Sequence, residues 1–348
     1  MSEQEAQPEP LLSVRGLKTW FPIRQGLLRR VVGHVHAVDG VDLDIHPGRT
    51  LALVGESGCG KTTVGRSILR LTPPTAGQVL YRGRDLVTIA DGEMQPLRRK
   101  LQMVFQDPMT SLDPRMRVRD LLEEGLRAFG IGETASERLD RAAEALRRVQ
   151  LHPDHLTRFP HEFSGGQRQR IGIARALIVE PELLICDEAV SALDVSIQAQ
   201  VLNLLGDLQA ELGVAYLFIT HDLSIVRHLG GDVAVMYLGR IVETGPTADV
   251  FAEPLHPYTR GLLGSILSAD PDVPRTQAQV LGDVPSPADP PPGCHFHTRC
   301  SQAWSPCRTV APRALARGPI TVRCHLYDEA QDRPPAQASP PATRAERD

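Results

Sequence analysis

The sequence predicts an α/β domain built on a sheet covered on both faces, followed by a small cysteine-bearing extension. Three observations predict it. Five short apolar runs, Thr50–Val54, Leu101–Phe105, Leu183–Asp187, Tyr216–Thr220 and Val233–Tyr237, are spread between longer segments of helical composition. Several are continuously apolar rather than alternating, as strands buried on both faces read, and such interleaving with helices marks α/β architecture. The segment Gly55-Glu56-Ser57-Gly58-Cys59-Gly60-Lys61-Thr62 fits G-x-x-x-x-G-K-[ST] between the first of these strands and a helix-compatible run, Thr63–Leu71. Four cysteines, Cys294, Cys300, Cys307 and Cys324, gather behind a proline-rich stretch.

Each part follows in chain order. Residues 1–10 read as a flexible tail. Residues 11–270 carry the strand and helix pattern. Between Gln106 and Ile178 strand signals fade, and Arg141–Val149 places apolar residues at helical spacing, so Asp107–Glu180 is expected to be a mainly helical insertion. Residues 271–293 are expected to form an extended proline-rich linker, residues 294–325 a cysteine module, and residues 326–348 a disordered tail.

The 348 residues, 41% hydrophobic, can bury a sizeable core. A formal net charge of −4 gives no electrostatic case for nucleic acid as a partner. Arg24, Arg29 and Arg30 form a local basic patch, either a solvated loop or a segment near an anionic membrane surface. No apolar run approaches the ~20 residues needed to cross a bilayer. Met1–Glu9 is acidic and lacks a signal-peptide hydrophobic region. The expected location is therefore the cytosol, with any membrane contact made through a partner.

In the glycine-rich segment, backbone N–H groups can converge on phosphate oxygens without Cβ clashes, and a following helix N-terminus favours negative charge. Lys61 would reach the β- and γ-phosphates, and Thr62 would offer its hydroxyl to Mg²⁺. Thr63 continues the loop into the helix. Further on, Leu183–Cys186 is an apolar strand ending in Asp187 and Glu188. Buried strands seldom end in paired acids without a role for them. Asp187 is placed to hold Mg²⁺, and Glu188 to face an attacking water as general base.

Phe163-Ser164-Gly165-Gly166-Gln167-Arg168-Gln169-Arg170 resembles the signature sequence of the ATP-binding-cassette family, with Phe163 where leucine is commoner. It opens a helix expected over Gln167–Ile178, so it is a second anion-binding helix start. The resemblance implies a P-loop cassette with a RecA-like core, an antiparallel β subdomain and a helical signature subdomain. It also implies head-to-tail pairing of two cassettes, the signature of one closing over ATP held by the other. Gln106 matches the glutamine that contacts Mg²⁺ and the attacking water. Ser191-Ala192-Leu193-Asp194 matches the loop at the cassette interface, and His221 the switch histidine on the γ-phosphate. Trp20 and Phe21 stand as alternatives for the aromatic that stacks on adenine. One departure is Ala189, where the family usually has proline after the catalytic glutamate.

The resemblance narrows to the dipeptide/oligopeptide importer subfamily, nearest its second ATPase subunit, through Val38–Val41, GESGCGKTT, Val104–Pro108 with Ser111–Pro114, Ser191–Ser196 and Pro254–Thr259. It implies two transmembrane permease subunits, an indirectly linked extracytoplasmic solute-binding protein, and pairing with itself or with a paralogous ATPase. Peripheral attachment at the cytoplasmic face of the plasma membrane follows. A soluble cassette ATPase uncoupled from transport is the alternative, but those tend to carry long coiled-coil insertions or two cassettes per chain, absent here. Four cysteines spaced C-x5-C-x6-C-x16-C suit a 4Fe–4S cluster or zinc by count, or remain free or disulfide-bonded. The resemblance favours the cluster.

Overall fold

The structure is a computed structural model and describes residues 9–106, 111–265 and 280–330. The chain begins with a long antiparallel hairpin of β1 (Leu12–Gln25) and β2 (Arg30–Ile45). The basic patch lies at its tip. Leu27, Leu28, Val31 and Val32 are exposed there beside Arg24, Arg29 and Arg30. β3 (Thr50–Val54) then enters a second sheet and leads through the glycine-rich loop into α1 (Lys61–Ile68). β4 (Ala76–Tyr81) and β5 (Arg84–Asp85) return to the first layer, a four-stranded sheet in the order β2-β1-β4-β5.

α2 (Asp91–Lys100) leads into β6 (Leu101–Val104). The stretch expected to be helical supplies α3 (Val118–Ala128), α4 (Ala135–Arg148) and α5 (Gly165–Leu177). Thr134 caps α4 by accepting from the Glu137 N–H. β7 (Leu183–Asp187), α6 (Val195–Leu212), β8 (Ala215–Thr220), α7 (Leu223–Leu229), β9 (Asp232–Tyr237) and β10 (Arg240–Pro246) complete the core. After α8 (Thr247–Ala252) and α9 (Pro257–Gly264), the C-terminal region adds α10 (Ser305–Thr309), β11 (Leu315–Arg317) and β12 (Ile320–Val322).

Among the described residues the second sheet has the order β11-β12-β10-β9-β3-β8-β7-β6. From β9 to β6 all neighbours are parallel. β3, β7 and β8 are buried at every position, which is why their sequences are apolar without alternation. One face packs on α1 and the antiparallel layer, with Val64 and Ile68 against Leu17, Val38, Leu53, Leu217 and Ile219. The other face meets the helical region, where Leu121, Leu146 and Ile171 join Tyr216 and Phe218.

The parallel register sets the site. Val54 pairs with Thr220, Asp187 with Ile219, and Val104 with Cys186. The carboxyl ends of β3, β6, β7 and β8 therefore share one edge, where open α/β sheets bind ligands.

The C-terminal region differs from a tethered appendage. β12 pairs with β10 through Glu243–Val322 and Thr244–Thr321, so the cysteine segment extends the main sheet. Residues 280–293 of the expected linker fold back on the body: Val280 packs on the core and the His36 N–H donates to the Pro287 carbonyl (2.8 Å). The start of the expected disordered tail is ordered too. His325–Tyr327 form a 3₁₀ turn, and the Tyr327 hydroxyl donates to the Leu255 carbonyl (2.9 Å). Both departures have one cause: Leu326 and Tyr327 join Tyr237, Tyr258 and Phe296 in an apolar cluster that proline content does not reveal. Residues 1–8, Asp107 to Thr110, 266–279 and 331–348, which hold the rest of the expected tails and linker, lie outside the described residues.

Candidate nucleotide site

The glycine-rich loop is held in a conformation its sequence makes possible. Gly55, Gly58 and Gly60 all have positive φ. At Gly60, φ is +108° and an added Cβ would lie 1.9 Å from the Ala37 carbonyl oxygen, so only glycine fits. Lys61 is 5% exposed and donates to the carbonyls of Gly55 (2.8 Å) and Glu56 (2.9 Å), drawing the loop around its side chain. Thr62 and Thr63 lie in the first turn of α1, whose start faces the loop. Burial pushes the Cys59 thiol up despite Lys61 nearby, so it is a packed neutral group.

The paired acids stand beside this loop. Thr62 Oγ1 donates to Asp187 Oδ1 (2.8 Å). Asp187 is 1% exposed, and burial raises its carboxyl pKa against the lowering effects of Thr62, Arg66 and Lys61. A buried carboxylate whose charge is incompletely offset, next to a hydroxyl oxygen, is a hard-oxygen pair suited to a small divalent cation. Glu188 follows with φ +47°, a left-handed conformation rare outside glycine. Its N–H donates to the Ile219 carbonyl (2.9 Å), fixing the turn against β8. Its carboxylate accepts from Gln106 Nε2 (2.6 Å) and lies 3.0 Å from His221 Nδ1. The end of β6, the end of β7 and the residue after β8 thus converge on one carboxylate. Since an ionised carboxylate only accepts, this contact places the proton on Nδ1.

The signature-like segment is a well-formed helix start. Ser164 accepts from the Gln167 N–H (3.4 Å), and Gln167 Oε1 accepts from the Ser164 N–H (3.0 Å), a reciprocal capping box. A Cβ at Gly166 would meet Ile197 Cγ2 at 2.5 Å, so glycine lets α5 approach α6. Gly165 faces Leu193 in the loop that ends at Asp194, and Asp194 precedes α6. Val195, the next residue, is 82% exposed. Among the described residues no hydrogen bond joins Ser164, Gly165, Gly166 or Gln167 to the glycine-rich loop.

Trp20 and Phe21 point to opposite faces of β1, as successive strand residues do. Trp20 stacks on His36 (centroids 4.2 Å apart, 7° between planes), with Lys18 Nζ 5.4 Å from its ring. His36 precedes Ala37, the residue whose carbonyl abuts Gly60. The stack thus adjoins the loop, whereas Phe21 is 41% exposed.

The expected metal-holding cysteine cluster is not supported. Cys294, Cys300, Cys307 and Cys324 are free thiols near enough to influence one another's ionisation. Among the described residues, no group of three or more His, Cys, Asp or Glu side chains is arranged to hold a metal ion. Cys294, Cys300 and Cys324 instead pack in the apolar cluster with Phe296 and Val322. His295 and His297 bond backbone carbonyls, of Leu238 and Cys294.

Two contacts to the loop escaped sequence reasoning. Arg299 donates from Nη1 to both Glu56 carboxylate oxygens (3.1 and 2.9 Å), and the Glu56 N–H donates to the Tyr258 hydroxyl (2.9 Å). Pro254–Thr259 is readable only as a family hallmark, and no sequence signal ties Arg299 to a residue 243 positions away.

A glycine-rich loop capping a helix, with a buried acid beside its threonine and a second acid shared by glutamine and histidine, defines a P-loop nucleotide-hydrolysing cassette. Residues 38–191 match the ABC transporter family model, and residues 242–307 match the oligopeptide/dipeptide transporter C-terminal region. The chain is 49% identical to the oligopeptide transport ATP-binding protein AppF of Bacillus subtilis, over 92% of this chain and 99% of that protein. It is 46% identical to the dipeptide transport ATP-binding protein DppF of Escherichia coli, over 94% of this chain and 98% of that one. The dimeric ADP- and phosphate-bound cassette MJ0796 superposes with a TM-score of 0.60 at 27% identity, over 68% of this chain and 98% of that one. The chain belongs to the ABC transporter ATP-binding family, whose cassettes are ATPases. No helix among the described residues is long and apolar enough to cross a membrane.

Proposed function

We propose that this chain is the ATP-hydrolysing subunit of an importer for dipeptides, oligopeptides or related solutes. The observation that carries the hydrolytic part is the Glu188 carboxylate, held between Gln106 and His221 one residue from the buried Asp187. The match of residues 242–307 to the oligopeptide/dipeptide transporter C-terminal region supports the substrate class.

In this reading the residues divide the work. Backbone N–H groups from Gly58 to Thr63 and the start of α1 bind the phosphates, and Lys61 turns from the Gly55 and Glu56 carbonyls to them. Thr62 and Asp187 hold Mg²⁺, with Gln106 at its margin, and the bound ion supplies charge neutralisation on the phosphates. Glu188 takes the proton of the attacking water, and a general base contributes about 10²–10⁴-fold. His221 holds Glu188 through Nδ1 and presents Nε2 to the γ-phosphate side. Trp20, whose stack adjoins the loop, stacks on adenine in preference to Phe21. Ala189 removes no functional group, and the bond from the Glu188 N–H to Ile219 supplies backbone restraint that proline would otherwise give.

Ser164, Gly165, Gly166 and Gln167 act on the nucleotide of a paired cassette, either a second copy or a paralogous ATPase, with Asp194 and exposed Val195 at the junction. Two permease subunits hold the chain at the cytoplasmic face of the plasma membrane and pass on solute from an extracytoplasmic binding protein. A groove lined by Phe105, Leu112, Gln169, Gly172 and Arg175, with a cavity of about 110 Å³, is the docking place for them.

The test is ATP hydrolysis by the purified chain alone and assembled with its permeases. Turnover that rises on assembly supports the coupled motor. Full turnover indifferent to permeases selects the soluble-ATPase reading.

A further inference from the structure

The Glu56 side chain sits in a loop built to receive phosphates, and an isolated carboxylate there would repel them. Arg299 meets it from the C-terminal region. The guanidinium contacts both Glu56 oxygens, donates from Nε to the carbonyls of Leu281 and Gly282 (3.3 Å each), and lies 5.7 Å from the Tyr237 ring centroid. The Arg299 side chain is 10% exposed and that of Glu56 26%. A partly buried pair of this kind is weakly screened by solvent. The Tyr258 hydroxyl accepts the Glu56 N–H, and Lys61 grips the Glu56 carbonyl. Tyr237, Tyr258 and Phe296 pack edge-on and tilted, with centroids 4.7–5.4 Å apart, and fix the frame from which arginine and tyrosine reach. Both contacts come from outside the 38–191 segment that matches the ABC transporter family model.

We infer that Arg299 is a positioning residue for ATP: by neutralising and orienting Glu56, it makes nucleotide affinity depend on the docked C-terminal region. This rests on the reading of the glycine-rich loop as the ATP site. The mechanism is electrostatic as well as steric, which gives it an unusual signature. Removing Arg299 alone leaves an uncompensated carboxylate in the phosphate-binding loop. Removing both charges leaves none.

The experiment measures KM for ATP and kcat in the full chain assembled with its partner subunits, plus ATP Kd of the purified chain. Arg299→Met is expected to raise KM and Kd about tenfold, with kcat changing less than about threefold. The double variant Glu56→Gln/Arg299→Met is expected to return KM to within about threefold of the unaltered chain, because the repulsion is gone. A purely structural arginine would give a double variant no better than the single. That result, or an unchanged KM in Arg299→Met, overturns the inference. Should Arg299→Met fail to fold, Arg299→Gln removes the charge while keeping a polar side chain, and an unchanged Kd there also overturns it. Lys61→Ala separates the two readings: retained ATP binding in that variant sinks the ATP-site assignment itself, while lost binding with an indifferent Arg299 sinks only the inference.

Discussion

Replacing Glu188 with Gln isolates chemistry from architecture. The carboxylate accepts from Gln106 at 2.6 Å and faces His221 Nδ1 at 3.0 Å. A glutamine of the same length can accept from Gln106 with its carbonyl and donate to His221 with its amide, once the imidazole moves its proton to Nε2. The network closes again without a buried unpaired group, so folding and ATP affinity should hold. What disappears is the carboxylate placed to take a proton from water. General-base loss of 10²–10⁴-fold corresponds to about 3–5 kcal/mol on the barrier. Phosphate release by the assembled complex should therefore fall at least about 100-fold while ATP Kd stays within about twofold, and ATP-loaded paired cassettes should accumulate on size exclusion. A fall in turnover below about threefold would show that Glu188 is not the base. An equal loss of ATP binding would show that the side chain builds the pocket rather than acting in it.

Three further outcomes follow from single contacts. Gly60→Ala puts a methyl 1.9 Å from the Ala37 carbonyl at φ +108°, so nucleotide binding should be lost, whereas Gly58→Ala, with open space at φ +77°, should lose only about 1 kcal/mol of stability. Equilibrium ATP binding and chemical denaturation separate the two. His256, 1% exposed, caps α9 by accepting the Tyr258 N–H, and burial depresses its pKa to about 3. Unfolded chains then take up a proton below about pH 6.5 that folded ones refuse, so stability falls as pH drops from 6.5 toward 3. Urea denaturation at pH 7.5 and 5.5 should show about 1.4 kcal/mol more loss in the unaltered chain than in His256→Asn, which keeps the cap, and equal losses would refute the assignment. Glu123, buried in α3, pairs with Arg119 and Arg127 at 3.0 and 2.5 Å. Glu123→Ala should destabilise by about 1–3 kcal/mol, since the exposed arginines regain water; a change under about 0.5 kcal/mol would contradict the pairing.

Much of the site was readable because its chemistry is written in contiguous segments. The loop from Gly55 to Thr62 carries its own glycine pattern, and the strand ending in Asp187-Glu188 breaks the rule against buried paired acids. Strands β3, β7 and β8 announced themselves by their apolar runs, since both of their faces meet other layers. The long strands β1 and β2 did not. They alternate irregularly, carry bulges and pair over most of their length with each other, so no local window shows their extent. Gln106 and His221 acquired meaning only from their order along the chain. Their convergence on Glu188 comes from the parallel register of β6, β7 and β8.

The sequence by itself determined the kind of chemistry. Phosphate-loop geometry, paired acids and helix starts are local devices, set by backbone sterics and residue type over fewer than about ten positions. Tertiary structure alone decided how the C-terminal region serves that chemistry. The proline-rich stretch read as a linker and the four cysteines as a small module beyond it, yet apolar burial of Phe296, Leu326 and Tyr327 docks the region onto the sheet and carries Arg299 to Glu56. A long-range ion pair has no sequence signature, because arginine and glutamate are individually unremarkable. Only the folded layers, by bringing them together where solvent screening is weak, give that pair its effect on the loop.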